Sequence, residues 1–364
     1  MAFDGIFVSG IKSELEKNLL GGRVYKVTEP ERDEIILTIK NNSSTYKLSI
    51  SVNPSLSLCM LTDVNKKSPI NAPTFVMLLR KHIQNGKIVS ITQPNVDRVI
   101  DMEIEHMNEL GDMVSVHLCS EFMGKYSNII LCDNEYNILD SIKRVPSTVS
   151  SVREVLPGRK YFIPDGDKLS LDTLNKNELF ESIRDKKCIL HKAIYTSITG
   201  LSPVIANEIC NNAGLPADLP ATSMSSTEIE KLYNALMNLK SRIDNDEFTF
   251  AIYKDSYSNK PEFSAIPLTS GYYDSVEYES PSQLLSDFYN DKALRNRMTQ
   301  KSFEYRRLTS NLLERETKKL ALQEKQLEST LGRDKYRIYG ELLQAYGYNV
   351  EEGATSITVP NFYD

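Results

Sequence analysis

The chain has 364 residues, 40% hydrophobic and 25% charged, with a formal net charge of −6. This length exceeds what a single hydrophobic core supports, so two or three domains are expected, and the composition is that of a soluble globular protein. Five widely spaced cysteines with no C-x-x-C pair argue against a disulfide framework and a zinc site, and the lack of a long uncharged apolar run argues against a membrane span, so a cytoplasmic protein is expected.

From Asp4, an N-cap acid, Phe7, Ile11, Leu15 and Leu19 recur four apart, and Gly21-Gly22 follows; this predicts an amphipathic helix. Three alternating segments come next, Arg23 to Glu29, Ile35 to Ile39 and Tyr46 to Val52, and predict an antiparallel meander. Pro73-Thr74 opens a second helix with Phe75, Leu78, Leu79 and Ile83 inward and Arg80 and Lys81 outward. A strand over Lys87 to Ile91 leads into Gln93-Pro94-Asn95-Val96-Asp97-Arg98, a turn that runs into a strand with Ile100, Met102 and Ile104 on its buried face. Two readings of Asp97-Arg98 stand: a capping acid beside a solvated edge arginine, or a paired group at a strand mouth that grips a ligand.

Met113 to Cys119 alternates again, with Val114, Val116 and Leu118 buried and His117 on the opposite face. The run Glu121-Phe122-Met123-Gly124-Lys125-Tyr126-Ser127-Asn128 then packs a glycine, a lysine, a hydroxyl and an amide into one turn. Such a turn either holds a phosphate or is a tight hairpin with an asparagine in the left-handed region. It is not a P-loop, so nucleotide hydrolysis has no support. Turn-rich sequence from Arg144 through Pro164-Asp165-Gly166-Asp167 marks a domain boundary. Leu190 to Thr199 and Val204 to Asn212 read as two short helices joined at Gly200-Leu201-Ser202-Pro203, either a helix-hairpin-helix that meets nucleic-acid phosphate or a purely structural hairpin. Phe248 to Tyr253 and Phe263 to Leu268 read as strands, and docking of these strands on the first domain would make the helical part an insertion.

Ser280-Pro281-Ser282 begins a long helix with apolar positions at Phe288, Tyr289, Leu294, Met298, Leu308, Leu312, Leu313, Leu320, Leu322 and Leu327, a pattern that predicts a coiled-coil arm whose seam needs a partner helix. Between Asp291 and Glu341 thirteen Lys or Arg face eight Asp or Glu, on an otherwise acidic chain. Either a polyanion such as nucleic acid meets this segment, or the helix is simply laced with charge.

The opening M-A-F-D-G, the N-V-D-R-V around Asp97-Arg98, E-F-M-G-K-Y-S-N-I-I-L, the G-L-S-P hairpin and Y-R-I-Y-G-E-L-L at Tyr336 to Leu343 together resemble the NFACT family, which includes the bacterial RqcH and fibronectin-binding protein A-like proteins and the eukaryotic NEMF. The resemblance covers the chain in order. It implies an α+β fold: an NFACT-N domain over 1–172, similar to the N-terminal domain of formamidopyrimidine-DNA glycosylases, a helix-hairpin-helix domain over 178–240, a β-containing connection over 241–285, and the first part of a coiled-coil arm over 286–364. It also implies ribosome-associated quality control: binding a large ribosomal subunit that carries peptidyl-tRNA, and recruiting tRNA, charged with alanine in bacteria, for template-free tailing of the stalled chain. Peptide-bond chemistry would then belong to the ribosome, and no cofactor or metal is expected. Carried over by position, Asp97, Arg98, Glu121, Met123, Gly124, Lys125, Ser127 and Asn128 match the family's tRNA-engaging motifs. The glycosylases use an N-terminal proline and an adjacent glutamate, where this chain has Ala2 and Phe3, so glycosylase chemistry is not expected. A fibronectin-binding surface adhesin, suggested by the older family name, and a DNA-binding or repair protein on the glycosylase-like scaffold are the competing readings.

Overall fold

The structure is a computed structural model that describes residues 3–69, 71–108, 110–164, 167–255 and 261–363, with the side chains at 255, 272–273, 290–297, 299–301 and 304 outside that description. Ala2, the Asp165-Gly166 pair of the expected turn and the side chain of Leu294 therefore lie outside the described residues.

Helix α1 (Gly5–Leu19) opens the fold, with the Asp4 carboxylate accepting from the Phe7 amide and Phe7, Ile11, Leu15 and Leu19 fully buried. The meander follows as β1 (Arg23–Glu31), β2 (Glu34–Asn41) and β3 (Ser44–Asn53), extended by β4 (Leu56–Leu61). Helix α2 (Thr74–Ile83) leads to β5 (Lys87–Thr92), β6 (Val99–Met107), β7 (Met113–Glu121), β8 (Asn128–Asp133) and β9 (Ile138–Ser141). The nine strands form one antiparallel sheet in the order β4-β3-β2-β1-β5-β6-β7-β8-β9. Its inner face packs on α1 and α2 in one large core.

Helix α2 departs from the expected stripe. Val76 is buried where Leu78 was expected, Leu78 is half-buried, and the Arg80 guanidinium donates to the Val27 carbonyl at 3.1 and 3.0 Å. The helical period places positions 75, 76, 79 and 83 together, while the long arginine stem lies along β1 with its donors satisfied by backbone.

The turn-rich stretch after β9 folds back over the outer face of the sheet. Bridges pair Asn137 with Lys160 and Val145 with Val155, and Ile138, Val155 and Tyr161 cover Cys119, Ile130 and Cys132. This strap explains why β8 is buried on both faces, with Ile129 and Leu131 in the first core and Ile130 and Cys132 beneath the strap.

Helices α3 (Lys176–Arg184), α4 (Leu190–Ser197), α5 (Pro203–Asn212) and α6 (Ser226–Asp244) share a second core, which also takes in Ile6, Val96, Ala251 and Tyr253. A three-stranded sheet, β10 (Phe250–Asp255), β11 (Pro261–Ser264) and β12 (Tyr272–Tyr278), lies between the two cores. Because successive strand residues point to opposite faces, Ala251 and Tyr253 face the helices. Phe250 and Phe263 instead stack edge-on against Phe7 at 5.9 and 4.7 Å.

Helix α7 (Pro281–Leu331) is followed by α8 (Arg333–Tyr346). Leu284 and Leu285 are buried, and Phe288 and Tyr289 pack on Phe263 at 4.9 and 5.8 Å, so these aromatics belong to the first core rather than to an arm seam. The chain divides into two compact units, Met1–Arg295 and Asn296–Asp364. In the second, Leu308, Leu313, Leu320, Leu322 and Leu327 are all exposed. No helix among the described residues is long and apolar enough to cross a membrane.

Candidate functional site

The turn before β6 is held in an uncommon conformation. Pro94 begins it, and both Asn95 and Val96 have positive φ, 53° and 56°. Asparagine tolerates this region; a β-branched residue does so only when its surroundings compel it. The compulsion is visible. The Val96 carbonyl is wedged between Gly5 and Gly200, where an added Cβ would stand 1.9 and 2.2 Å from it. The Gly5 amide donates to the Gly200 carbonyl at 2.8 Å, and the Gln93 amide bridges the Gly5 and Asp97 carbonyls at 2.8 and 2.7 Å. Three separate pieces of chain, the start of α1, the turn and the α4–α5 connection, thus lock at one point.

Beside that lock lies a cavity of about 380 Å³, lined by Asp97, Arg98, Met123 and Lys168 together with Phe3, Asp4, Ile163 and the Gly200-Leu201-Ser202-Pro203 connection. It brings together four of the sequence features singled out separately. Asp97 and Arg98 are half-buried, and the Asp97 carboxylate accepts from the Arg98 amide at 2.7 Å. The Arg98 carbonyl in turn accepts from the Phe122 amide at 2.8 Å, and Val99 pairs with Glu121, so the same register carried one step further sets Met123 opposite Asp97.

The cavity has mixed charge. Arg98 and Lys168 contribute cations, and the positive end of α5, capped by Ser202, opens onto it. Burial, reinforced by the neighbouring Arg98, pulls the Lys168 ammonium below its ordinary value. Asp4 and Asp97 contribute carboxylates. Burial pushes Asp4 up to about 6 against the opposing hydrogen bonds from Ser202 and Phe7.

The other residues of the motif at 121–128 have different placements. Glu121 is wholly buried; its carboxylate accepts from the Arg153 guanidinium and from the Tyr161 hydroxyl at 3.0 Å. Arg153 also donates to the Phe162 carbonyl at 2.6 Å, immediately before the Ile163-Pro164 wall of the cavity. Gly124, at φ 61°, is the left-handed residue of the turn, whereas Asn128 is already the first residue of β8; the asparagine expected there is displaced because glycine takes that conformation without a Cβ clash. The Asn128 side chain donates to the Lys143 carbonyl and accepts from the Lys143 and Ile129 amides, at 2.8, 3.0 and 3.0 Å. Ser127 is buried, and its hydroxyl has no hydrogen-bond partner among the described residues. Lys125 is exposed, its ammonium 4.7 Å from the Tyr126 ring centroid. Of the eight expected residues, Asp97, Arg98 and Met123 line the cavity, Glu121 and Asn128 brace its surroundings, and Lys125 stands outside it.

Asp4, Lys168, Arg153 and Tyr161 were not among the expected site residues. Only Asp4 carried a signal, as a helix cap; the others lie in irregular sequence without periodicity. On the outer face of β7, His117 and Tyr136 both bond Asp101, at 3.1 and 2.6 Å, and Cys119 lies 3.7 Å from the same carboxylate. Hydrogen bonding to Cys132, burial and Asp101 raise the Cys119 thiol well above its ordinary value, the opposite of an activated nucleophile. Among the described residues no cluster of three or more ligating side chains is positioned for a metal ion.

The family model for NFACT N-terminal and middle domains matches residues 4–364. Rqc2 homolog RqcH of Bacillus subtilis is 32% identical over 366 residues, covering 100% of this chain and 62% of its own length. Ribosome quality control complex subunit NEMF of Homo sapiens is 26% identical over 141 residues, covering 39% of this chain and 12% of its own. Among solved structures, the fibrinogen binding protein from Staphylococcus aureus superposes with a TM-score of 0.67 at 28% identity, covering 79% of this chain and 99% of that one. The chain thus spans less than two thirds of the length of the RqcH relative. With a family match that runs from Asp4 to the last residue, the chain belongs to the NFACT family.

Proposed function

We propose that this chain is the tRNA- and ribosome-engaging part of a ribosome-associated quality control factor. It binds large ribosomal subunits obstructed by peptidyl-tRNA and recruits tRNA, alanyl-tRNA in bacteria, for template-free tailing of the stalled chain, with peptide-bond chemistry left to the ribosome. The protein is cytoplasmic on this reading. The names of the RqcH and NEMF relatives support it. The observation that carries it is the convergence of Asp97, Arg98, Met123 and Lys168 with the Gly200-Ser202 connection on one cavity.

Arg98 binds a phosphate or the edge of an unpaired base through two parallel hydrogen bonds, and Asp97 orients it or accepts from a base amine. Single-stranded loops are the part of an RNA that such groups read. Lys168 and the α5 terminus hold the adjoining phosphate, and α4–α5 act as the helix-hairpin-helix. Glu121, Gly124, Ser127 and Asn128 act as positioning residues, and Lys125 contacts the RNA backbone outside the cavity. The exposed leucines of α7 belong to the first part of a coiled-coil arm. The test is fluorescence anisotropy of labelled tRNA with this chain over a salt series: binding that weakens steeply with salt is expected, and no affinity at low salt would refute the assignment.

One observation favours a second reading, a surface adhesin: the Staphylococcus aureus relative of known structure is described as a fibrinogen binding protein. Surface plasmon resonance against immobilised fibrinogen and fibronectin separates the two readings, since the adhesin requires saturable binding that tRNA does not displace.

A further inference from the structure

A second cavity, of about 690 Å³, opens where β1 ends, α2 begins and β9 leaves the sheet. Glu29 lines it from the inward face of β1, two residues beyond the core residue Val27, and is only 7% exposed. One of its carboxylate oxygens, Oε2, is buried without a hydrogen-bond partner among the described residues. Buried polar atoms are nearly always paired, so an orphaned carboxylate oxygen on a cavity wall calls for a physical account. Among the described residues none is supplied, for no strand pairing or helix cap there uses it.

The surroundings narrow what fits. Pro30, Pro73, Phe75 and Ile142 give the cavity apolar walls. Asp140, also on the wall, is already closed by the Arg144 guanidinium, with two hydrogen bonds at 2.9 and 2.8 Å. Glu31 lines the cavity and Asp33 stands near Glu29, adding negative charge; the exposed Arg32 opposes them, as does the positive end of α2. The nearby Lys143 ammonium is spent on the Val52 and Ser127 carbonyls. No set of three ligating side chains exists among the described residues to hold a metal ion.

We propose that this cavity binds a primary alkylammonium group, its charge on the Glu29 carboxylate and its methylene stem along Phe75 and the flanking prolines. A lysine side chain of a protein partner and a free polyamine both present this chemistry, a compact charge at the end of an apolar stem. The site is distinct from the Asp97-Arg98 cavity and does not depend on the reading given to that one. Binding is coupled to a proton. Burial, reinforced by Asp33 and opposed by Arg32, raises Glu29 to about 7, so near pH 6 most molecules carry it as the neutral acid. An ammonium ion binds the ionised form, and apparent affinity therefore rises about tenfold from pH 6 to pH 8.

The test is a titration of the 364-residue chain, carrying labelled isoleucine methyl groups, with spermidine and separately with Nα-acetyl-lysine methylamide. The expected result is a saturable shift of the Ile142 methyl signal, about tenfold weaker at pH 6 than at pH 8 and lost in Glu29→Gln. A response to spermidine alone assigns the site to polyamines; a response to the lysine amide alone assigns it to a protein's lysine; a response to both supports the shared chemistry. No saturable shift with either amine, affinity that is flat or falls with rising pH, or an undiminished response in folded Glu29→Gln would overturn the proposal. The pH series uses the unaltered chain, so it decides the matter even where Glu29→Gln does not fold.

Discussion

Replacing Arg153 by methionine tests how the cavity wall is built. The substitution keeps most of the apolar stem and deletes the charge that faces Glu121, a carboxylate with 0% exposure. Tyr161 remains on the other oxygen at 3.0 Å, and one hydrogen bond does not replace a guanidinium. Breaking a buried ion pair from one side costs roughly 3–5 kcal/mol, because the charge left behind is uncompensated. The Phe162 carbonyl loses its donor as well, adding about 1 kcal/mol. Adding Glu121→Gln to Arg153→Met should recover much of the stability. The chain has no tryptophan, so urea unfolding is best followed by far-UV circular dichroism at pH 7. A single variant within about 1 kcal/mol of the parent at pH 7 would refute the assignment of Glu121–Arg153 as a buried, wall-holding pair.

Gly200→Ala places a Cβ 2.2 Å from the Val96 carbonyl at a residue with φ 81°. Backbone strain and overpacking together predict a loss of roughly 2–4 kcal/mol, measured as a lower urea midpoint; an unchanged midpoint would mean that the three-way lock is loose. Asp4→Asn keeps a competent helix cap and removes a buried titrating group. Asp4 is raised from 3.8 to about 6, so its contribution is fully present below about 3.8 and is lost as pH climbs through 6, on the order of 3 kcal/mol in all. The variant should therefore gain on the parent between pH 4 and pH 7 in thermal melts, and parallel curves would show that Asp4 is not buried as described.

Helix α1 and the meander were legible because burial on one face imposes a period that the sequence must carry, and Asp4 and Gly21-Gly22 mark the ends of the helix. Strand β4, Leu-Ser-Leu-Cys-Met-Leu, has no clean alternation, and in β12 the stretch Asp274-Ser275-Val276-Glu277 is exposed throughout, so neither announced itself. Asp97 and Arg98 could be picked out, but their standing came from family resemblance; local chemistry alone allowed an ordinary turn. The left-handed backbone at Val96 could not be read, since a β-branched residue argues against it and only the distant Gly5 and Gly200 enforce it. Arg153 was hidden for a similar reason. It lies in an irregular strap, 32 residues from its partner Glu121 at the end of β7, and no short-range pattern encodes a pairing of that kind.

The most direct measurement for the central claim is tRNA binding by this chain with Asp97 and Arg98 both replaced by alanine, beside Lys168→Ala, each checked for an unchanged circular dichroism spectrum. If the cavity grips RNA as proposed, the double variant binds about fivefold to a hundredfold more weakly, the loss of one bidentate contact being worth roughly 1–3 kcal/mol, and Lys168→Ala lowers the salt slope by about one unit. Folded variants that bind tRNA as the parent does, with the same salt slope, would contradict it.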